Sequence, residues 1–251
     1  MNDLLSAAVN AHGGLSRWNQ LKTVTARLSI TGAIWEVKGK PDALKDVSIE
    51  AQLQKESLTT HFNGQGKRTV FEPNRITVQM ESGRIVSSRD DPRSAFRGHT
   101  QQTPWDDMHL AYFSSYALWN YLTIPFLCTY PGFVTEELGP WEESGERWRL
   151  LKVIVPDSIA SHSREQVAYF GPAGLLRRHE YTVEIMGGAA GLNYAADYRN
   201  VDGIMVPTKR RVYAPDGNKQ KIPNPVLVAI DIRDIAFSAD SDAGKTIARR
   251  P

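Results

Sequence analysis

A single cysteine, Cys128, is the whole thiol complement of the 251 residues. That excludes an internal disulfide framework and any Cys-rich zinc or iron–sulfur centre. Net charge is equally scarce: Lys+Arg 30 against Asp+Glu 28 leave +2, so the usual electrostatic drive toward nucleic acid is missing. No stretch approaches the roughly 20 consecutive apolar residues of a membrane span, and there is no fixed-period repeat, heptad pattern or low-complexity block. The start, Met1-Asn2-Asp3-Leu4-Leu5, has an acid where an export signal has lysines, so the expected location is cytoplasmic. Gly187-Gly188-Ala189-Ala190-Gly191 precedes neither a helix nor a phosphate-binding lysine, and no nucleotide or other cofactor is expected. What is present is apolar material, 41% of the chain, enough to bury a sizeable core.

Its arrangement is mostly of period two. After two short helical segments, residues 3–11 and the turn containing Leu15, Trp18 and Leu21, alternation begins at Thr23 and runs through Val24, Ala26, Leu28, Ile30 and Ile34. Val47, Ile49, Ala51 and Leu53 alternate most cleanly, and shorter runs follow to residue 88, separated by Asn63-Gly64, Pro73-Asn74 and Ser82-Gly83. Residues 105–122, rich in aromatics and free of glycine and proline, form the one long helix predicted. The apolar connection through Pro125, Phe126, Tyr130 and Phe133 is expected to pack over something. From Arg147 six further strands are predicted, with Asp202-Gly203 the strongest hairpin signal. Ten or eleven antiparallel strands around one helix predict a mainly β, α+β fold: a large curved sheet forming an incomplete barrel, with the helices lidding an apolar cavity. Residues 1–237 are read as a single domain, and the polar, aperiodic residues 238–251 as a disordered tail.

Two stretches resemble a known family. Ala11-His12-Gly13-Gly14 with Trp18 and Leu21 is similar to the opening of the outer-membrane lipoprotein-carrier (LolA-like) proteins. So is the late run Tyr194-Ala195-Ala196-Asp197-Tyr198-Arg199-Asn200-Val201-Asp202-Gly203-Ile204-Met205-Val206-Pro207, with Ile230-Asp231-Ile232 as last strand. The resemblance implies an incomplete antiparallel barrel holding acyl chains or other apolar ligands. Read from the opening residues, the family's export signal is expected to be missing, and no counterpart is expected for residues 105–146.

The functional expectation is binding of a small hydrophobic or amphipathic molecule, with Tyr112, Tyr116, Trp119, Phe126, Tyr194 and Tyr198 as walls. The alternative is a cofactor-independent isomerase, cyclase, dehydratase or hydrolase in the same cavity. Alternation over residues 175–185 puts Arg177, His179 and Tyr181 on the apolar face. There the imidazole would exchange a proton, the phenol donate to an oxyanion and the guanidinium orient a carboxylate or enolate. Against this stands a core histidine satisfied by the backbone. A buried Arg177 needs a partner, with Glu142, Glu143, Glu146 and Asp197 available. Ser161-His162-Ser163 reads as a turn with a solvated edge rather than a triad, because neighbouring strand side chains point apart. Asp106 and His109 share a helix face, but no third ligand accompanies them and no metal is expected. A scaffold using a sheet edge is the third possibility.

Overall fold

The computed structural model describes residues 1–239; the predicted tail lies outside these beyond its first two residues. The alternating segments become β1 (Thr23–Thr31), β2 (Val47–Gln52), β3 (Ser57–Phe62), β4 (Lys67–Glu72), β5 (Arg75–Met80) and β6 (Ile85–Asp90) in the first half. The second half supplies β7 (Val134–Glu143), β8 (Glu146–Ile154), β9 (Glu165–Phe170), β10 (Leu176–Val183), β11 (Ala189–Val201), β12 (Ile204–Tyr213) and β13 (Val228–Ser238). All thirteen belong to one sheet in the order β6-β5-β4-β3-β2-β1-β13-β12-β11-β10-β9-β8-β7. Two antiparallel meanders are thus joined where the last strand pairs with the first.

This order corrects the expected incomplete barrel. Strands β6 and β7 have a neighbour on one side only and no ladder joins them, so the sheet is open rather than closed or strongly curled. The expectation assumed that so large a sheet must curl to bury its apolar face. Here α4 (Asp107–Thr123) lies against β3, β4 and β5, and the buried turn Phe126–Thr129 packs beside it, so separate elements supply that cover.

α4 is started by Asp106, whose Oδ1 accepts from the His109 backbone N–H at 2.7 Å, while His109 Nδ1 accepts from the Asp106 backbone N–H at 3.2 Å. With Nδ1 an acceptor, the His109 proton sits on Nε2, which donates to the Ala95 carbonyl at 3.2 Å. The pair considered as metal ligands is therefore a capping box, a device worth about 1 kcal/mol. Every residue of α4 from Leu110 to Tyr121 is buried.

The two stretches that carry the family resemblance touch each other. Gly13 has φ +122° and a Cβ there would lie 2.2 Å from the Gly203 carbonyl oxygen, so only glycine fits. The Met205 N–H donates to the His12 carbonyl at 3.0 Å, and Arg17 Nε to the Asp202 carbonyl at 2.7 Å. The end of α1 (Asp3–Ala11) and the start of α2 (Leu15–Trp18) thereby dock on the β11–β12 hairpin, whose Asp202 and Gly203 both have positive φ. A similar close approach breaks the first strand. Gly32 has φ +127° and a Cβ would meet the Leu227 carbonyl oxygen at 2.4 Å, after which the chain turns into α3 (Ala33–Val37) instead of continuing as strand through Ile34.

Candidate functional site

A cavity of about 480 Å3 lies between α4, α3 and strands β1 and β10 to β13. Phe113, Ala117 and Leu118 form its helical wall, Ile30, Val183, Val212, Val228 and Ile230 much of its sheet wall, and Met186 joins them from the turn after β10. Val37, Gln101, Gln102, Ala190 and Pro225 line it as well and are exposed, so it reaches the surface at that end. Tyr121, His162 and Tyr181, all buried, stand at the other.

These three form one hydrogen-bonded chain with Tyr116. The Tyr116 hydroxyl meets His162 Nδ1 at 3.0 Å, His162 Nε2 meets the Tyr121 hydroxyl at 2.8 Å, and the Tyr121 and Tyr181 hydroxyls are 2.5 Å apart. Burial, with the Arg93 charge adding to it, holds His162 well below its ordinary pKa, so the ring is neutral with one N–H. Burial pushes Tyr121 up to about 12, despite its bond to Tyr181 and the charge of Arg210, and raises Tyr116 and Tyr181 well above the phenol range. All three are therefore hydroxyls at neutral pH. One tautomer of His162 donates toward Tyr121 and leaves the Tyr181 proton free to donate; the other reverses the chain and makes Tyr181 donate to Tyr121.

Beside Tyr121 and Tyr181 lies a second group of buried polar side chains. Arg210 is 3% exposed and shares its strand face with the cavity residue Val212. Its Nη2 donates to the Tyr121 carbonyl at 2.7 Å and its guanidinium carbon stands 5.0 Å from the Tyr121 ring centre. No carboxylate among the described residues pairs with it, and its Nη1 has no protein partner. Nor does His179 Nδ1; Asn193, which faces His179 across the β10–β11 ladder, is within side-chain hydrogen-bonding reach of Tyr121. Burial and the nearby Arg210 charge lower His179 to about 3, so it too is neutral.

Strand β10 delivers two of the three anticipated catalytic side chains here. His179 and Tyr181 meet at 5.2 Å between ring centres on the cavity side. Arg177 does not join them. The ladder with β9 slips between Leu176 and Arg178, so Leu176 takes the inner side and Arg177 goes to the rim, 35% exposed, where Nη2 pairs with Glu146 at 2.9 Å. The six aromatic residues expected as walls lie elsewhere. Tyr112 packs on Phe71 and Phe96, Tyr116 lies behind His162, and Trp119 donates to the Gln52 carbonyl at 2.6 Å. Phe126 stacks on Trp18 at 4.2 Å, Tyr194 bonds Glu143 on the outer face, and the Tyr198 hydroxyl donates to the Leu176 carbonyl at 2.8 Å. Because α4 is buried all round, its aromatic stripe does not reveal which face borders the cavity; residues 113, 114, 117, 118 and 121 do.

His162 and Arg210 escape sequence reasoning for different reasons. His162 sits between two serines without periodic context, and its partners come from residues 116, 121 and 181. Arg210 does carry a signal, since Ile204, Val206, Thr208, Arg210 and Val212 alternate on one face and the arginine is the charged member. A second, polar groove of about 320 Å3 includes Arg93, Asp157, Arg164 and Glu184, but its charges pair internally, Arg93 with Glu184 at 2.6 Å and Arg164 with Asp157 at 2.5 Å. Among the described residues there is no cluster of three potential metal ligands, and no helix long and apolar enough to cross a membrane.

Compared by sequence, the chain matches no family model and no curated protein. Solved structures do share its fold. A DUF1329 family protein from Desulfovibrio piger superimposes with a TM-score of 0.56 at 11% identity, over 98% of this chain and 94% of that one. A putative outer membrane lipoprotein-sorting protein domain from Vibrio parahaemolyticus gives 0.53 at 10% identity, over 99% and 97%. A LolA superfamily protein from Nitrosomonas europaea gives 0.51 at 8%, over 93% and 92%. The expected cytoplasmic location is corrected by these comparisons, because the fold is shared with a domain described as sorting outer membrane lipoproteins. The resemblance stated from the two chain ends holds at the level of the fold: this chain shares its fold with solved structures that include a LolA superfamily protein.

Proposed function

We propose that the chain binds a small hydrophobic or amphipathic molecule in the cavity between α4 and strands β1 and β10 to β13. One observation carries the reading. The cavity has apolar walls, polar side chains gathered at its inner end and exposed residues at the other, an arrangement suited to an apolar body with a polar tip. Its volume of about 480 Å3 lies within the range of small-molecule sites, roughly 300–1,000 Å3. The fold shared with a lipoprotein-sorting domain supports a lipid-like occupant. Arg177 stands apart from His179 and Tyr181, and an imidazole lowered to about 3 is a poor proton acceptor near neutrality. The histidines and tyrosines are read accordingly as hydrogen-bonding groups for a ligand.

The test is a titration with N-phenylnaphthylamine, whose fluorescence rises on leaving water, against wild type and Ala117→Trp. Ala117 is buried and lines the cavity, so the indole would fill part of it. Saturable binding by wild type, weakened at least about tenfold in a variant that keeps its circular dichroism, is expected. Equal binding by both proteins would place the probe elsewhere and remove the reading.

A further inference from the structure

We propose that the ligand is a single-tailed apolar carboxylic acid, bound with its carboxylate at the inner end of the cavity on Tyr181 and directed toward Arg210 behind it; the inference rests on the binding reading above. A buried guanidinium without a counter-ion is costly, and the described residues offer Arg210 no carboxylate. The C-terminal turn of α4 explains part of its position, since the Tyr121 carbonyl belongs to that turn and attracts a cation. That contact occupies Nη2 alone. Nη1 of Arg210 remains a donor without a protein partner, on a side chain more than nine-tenths buried that stands directly behind the cavity residues Tyr121 and Val212.

In one of its two arrangements the hydroxyl chain adds a second donor. With the His162 proton on Nε2, Tyr116 donates to Nδ1, His162 to Tyr121, Tyr121 to Tyr181, and the Tyr181 proton is free for an acceptor in the cavity. A carboxylate has two oxygens with about four acceptor sites and supplies the missing negative charge. Charge count narrows the class further. Arg210 is the single cation here, because His162 and His179 are held neutral by burial. A monoanion balances it, whereas a phosphate monoester, nearer two negative charges at neutral pH, would leave one buried charge unmatched.

The measurement compares dodecanoic acid, dodecanol, methyl dodecanoate and dodecyl phosphate by calorimetric titration at neutral pH, below their micelle concentrations. Wild type is expected to bind the acid at least about tenfold more tightly than the alcohol or the ester, the worth of one charge-assisted hydrogen bond. Arg210→Met is expected to collapse that ratio to near one, and Arg210→Lys to keep most of it. Acid and alcohol binding equally to wild type would overturn the proposal while leaving the cavity reading intact, with ordered water then satisfying the buried donors. Phosphate binding more tightly than acid would overturn the choice of carboxylate. Binding of none of the four would remove both readings. The wild-type comparison stands even if the methionine variant fails to fold.

Discussion

Two arginines lie buried on opposite faces of the same sheet, and their surroundings differ in kind. Arg178, on β10, is fully buried on the outer face. It pairs with Glu143 at 2.8 Å and Glu180 at 2.6 Å, donates to the Tyr169 hydroxyl oxygen at 3.0 Å and stands 4.1 Å from that ring centre. Around it Trp148, Leu150 and Tyr169 form a small core of their own. Arg210, on β12, faces inward with one carbonyl and no carboxylate, beside a cavity. The outer cluster carries its own counter-charges, as a structural network does; the inner one keeps donors in reserve, as a binding site does.

Substitution to methionine should separate the two most widely. Arg178→Met strands two buried or half-buried carboxylates and is expected to cost about 3–5 kcal/mol in chemical denaturation. Arg210→Met removes a charge that lacks a counter-ion, loses one bond to the Tyr121 carbonyl, and is expected to change stability by no more than about 1 kcal/mol, with a gain allowed. Equal and large losses would mean that Arg210 is as structural as Arg178.

Blocking the cavity gives the next largest effect. Val183→Trp, from β10 into the cavity, is expected to weaken apolar-probe binding at least about tenfold, whereas Leu138→Ala in the outer cluster should leave it within about twofold. Probe titration of both variants checks this.

Acid should also part the faces. Burial and the Arg210 charge lower His179 to about 3, and burial lowers His12 to about 4 despite its bond to the Ala8 carbonyl. Their contribution to stability is complete above about pH 6.5 and drains as the pH falls toward those values. On the outer face burial opposes ionisation of Glu180, but bonds from Tyr169, Lys219 and Arg178 prevail and hold its carboxyl below the usual range. That contribution persists until the pH falls below about 4.3. Glu56, raised by burial to about 8, works in the opposite sense between about pH 4.5 and 8, so the quantity to read is the difference from wild type. Between pH 6.5 and 4.5, His179→Gln should flatten the pH dependence of unfolding relative to wild type, and Glu180→Gln should not.

The smallest expected effect concerns the hydroxyl chain. Tyr116→Phe removes the bond to His162 Nδ1 but leaves Tyr121 and Tyr181 in place. It is expected to cost roughly 1–2 kcal/mol of stability and to change acid affinity by less than about threefold, while Tyr181→Phe, which removes the terminal donor, should cost more affinity.

Much of the sheet is legible from alternation, and the Asp202-Gly203 turn from its two residues, because strand faces and positive-φ turns are local properties. Local signals fail where tertiary contacts decide. Ile34 continues the alternation of β1, yet the crowding of Gly32 against Leu227 turns the chain into α3. Arg177 obeys the period-two rule in sequence, and the bulge beside it moves the face boundary by one residue. The inner cluster draws on α4, the loop at His162, β10, β11 and β12, so beyond His179 and Tyr181 on one strand, and Arg210 as the charged member of the alternating face of β12, its members carry no local signal that joins them. The absence of barrel closure follows from α4 covering the sheet, which no pattern within the strands records.

The central claim, that the inner side of the sheet is a ligand site while the outer side is structural, is tested most directly by a crystal structure of the protein grown with dodecanoic acid. The account predicts density for the chain among Phe113, Ala117, Leu118 and Met186, with its polar end toward Tyr121 and Tyr181. A cavity without the ligand, with density instead in the polar groove beside Arg93 and Arg164 or only on the surface, would contradict it.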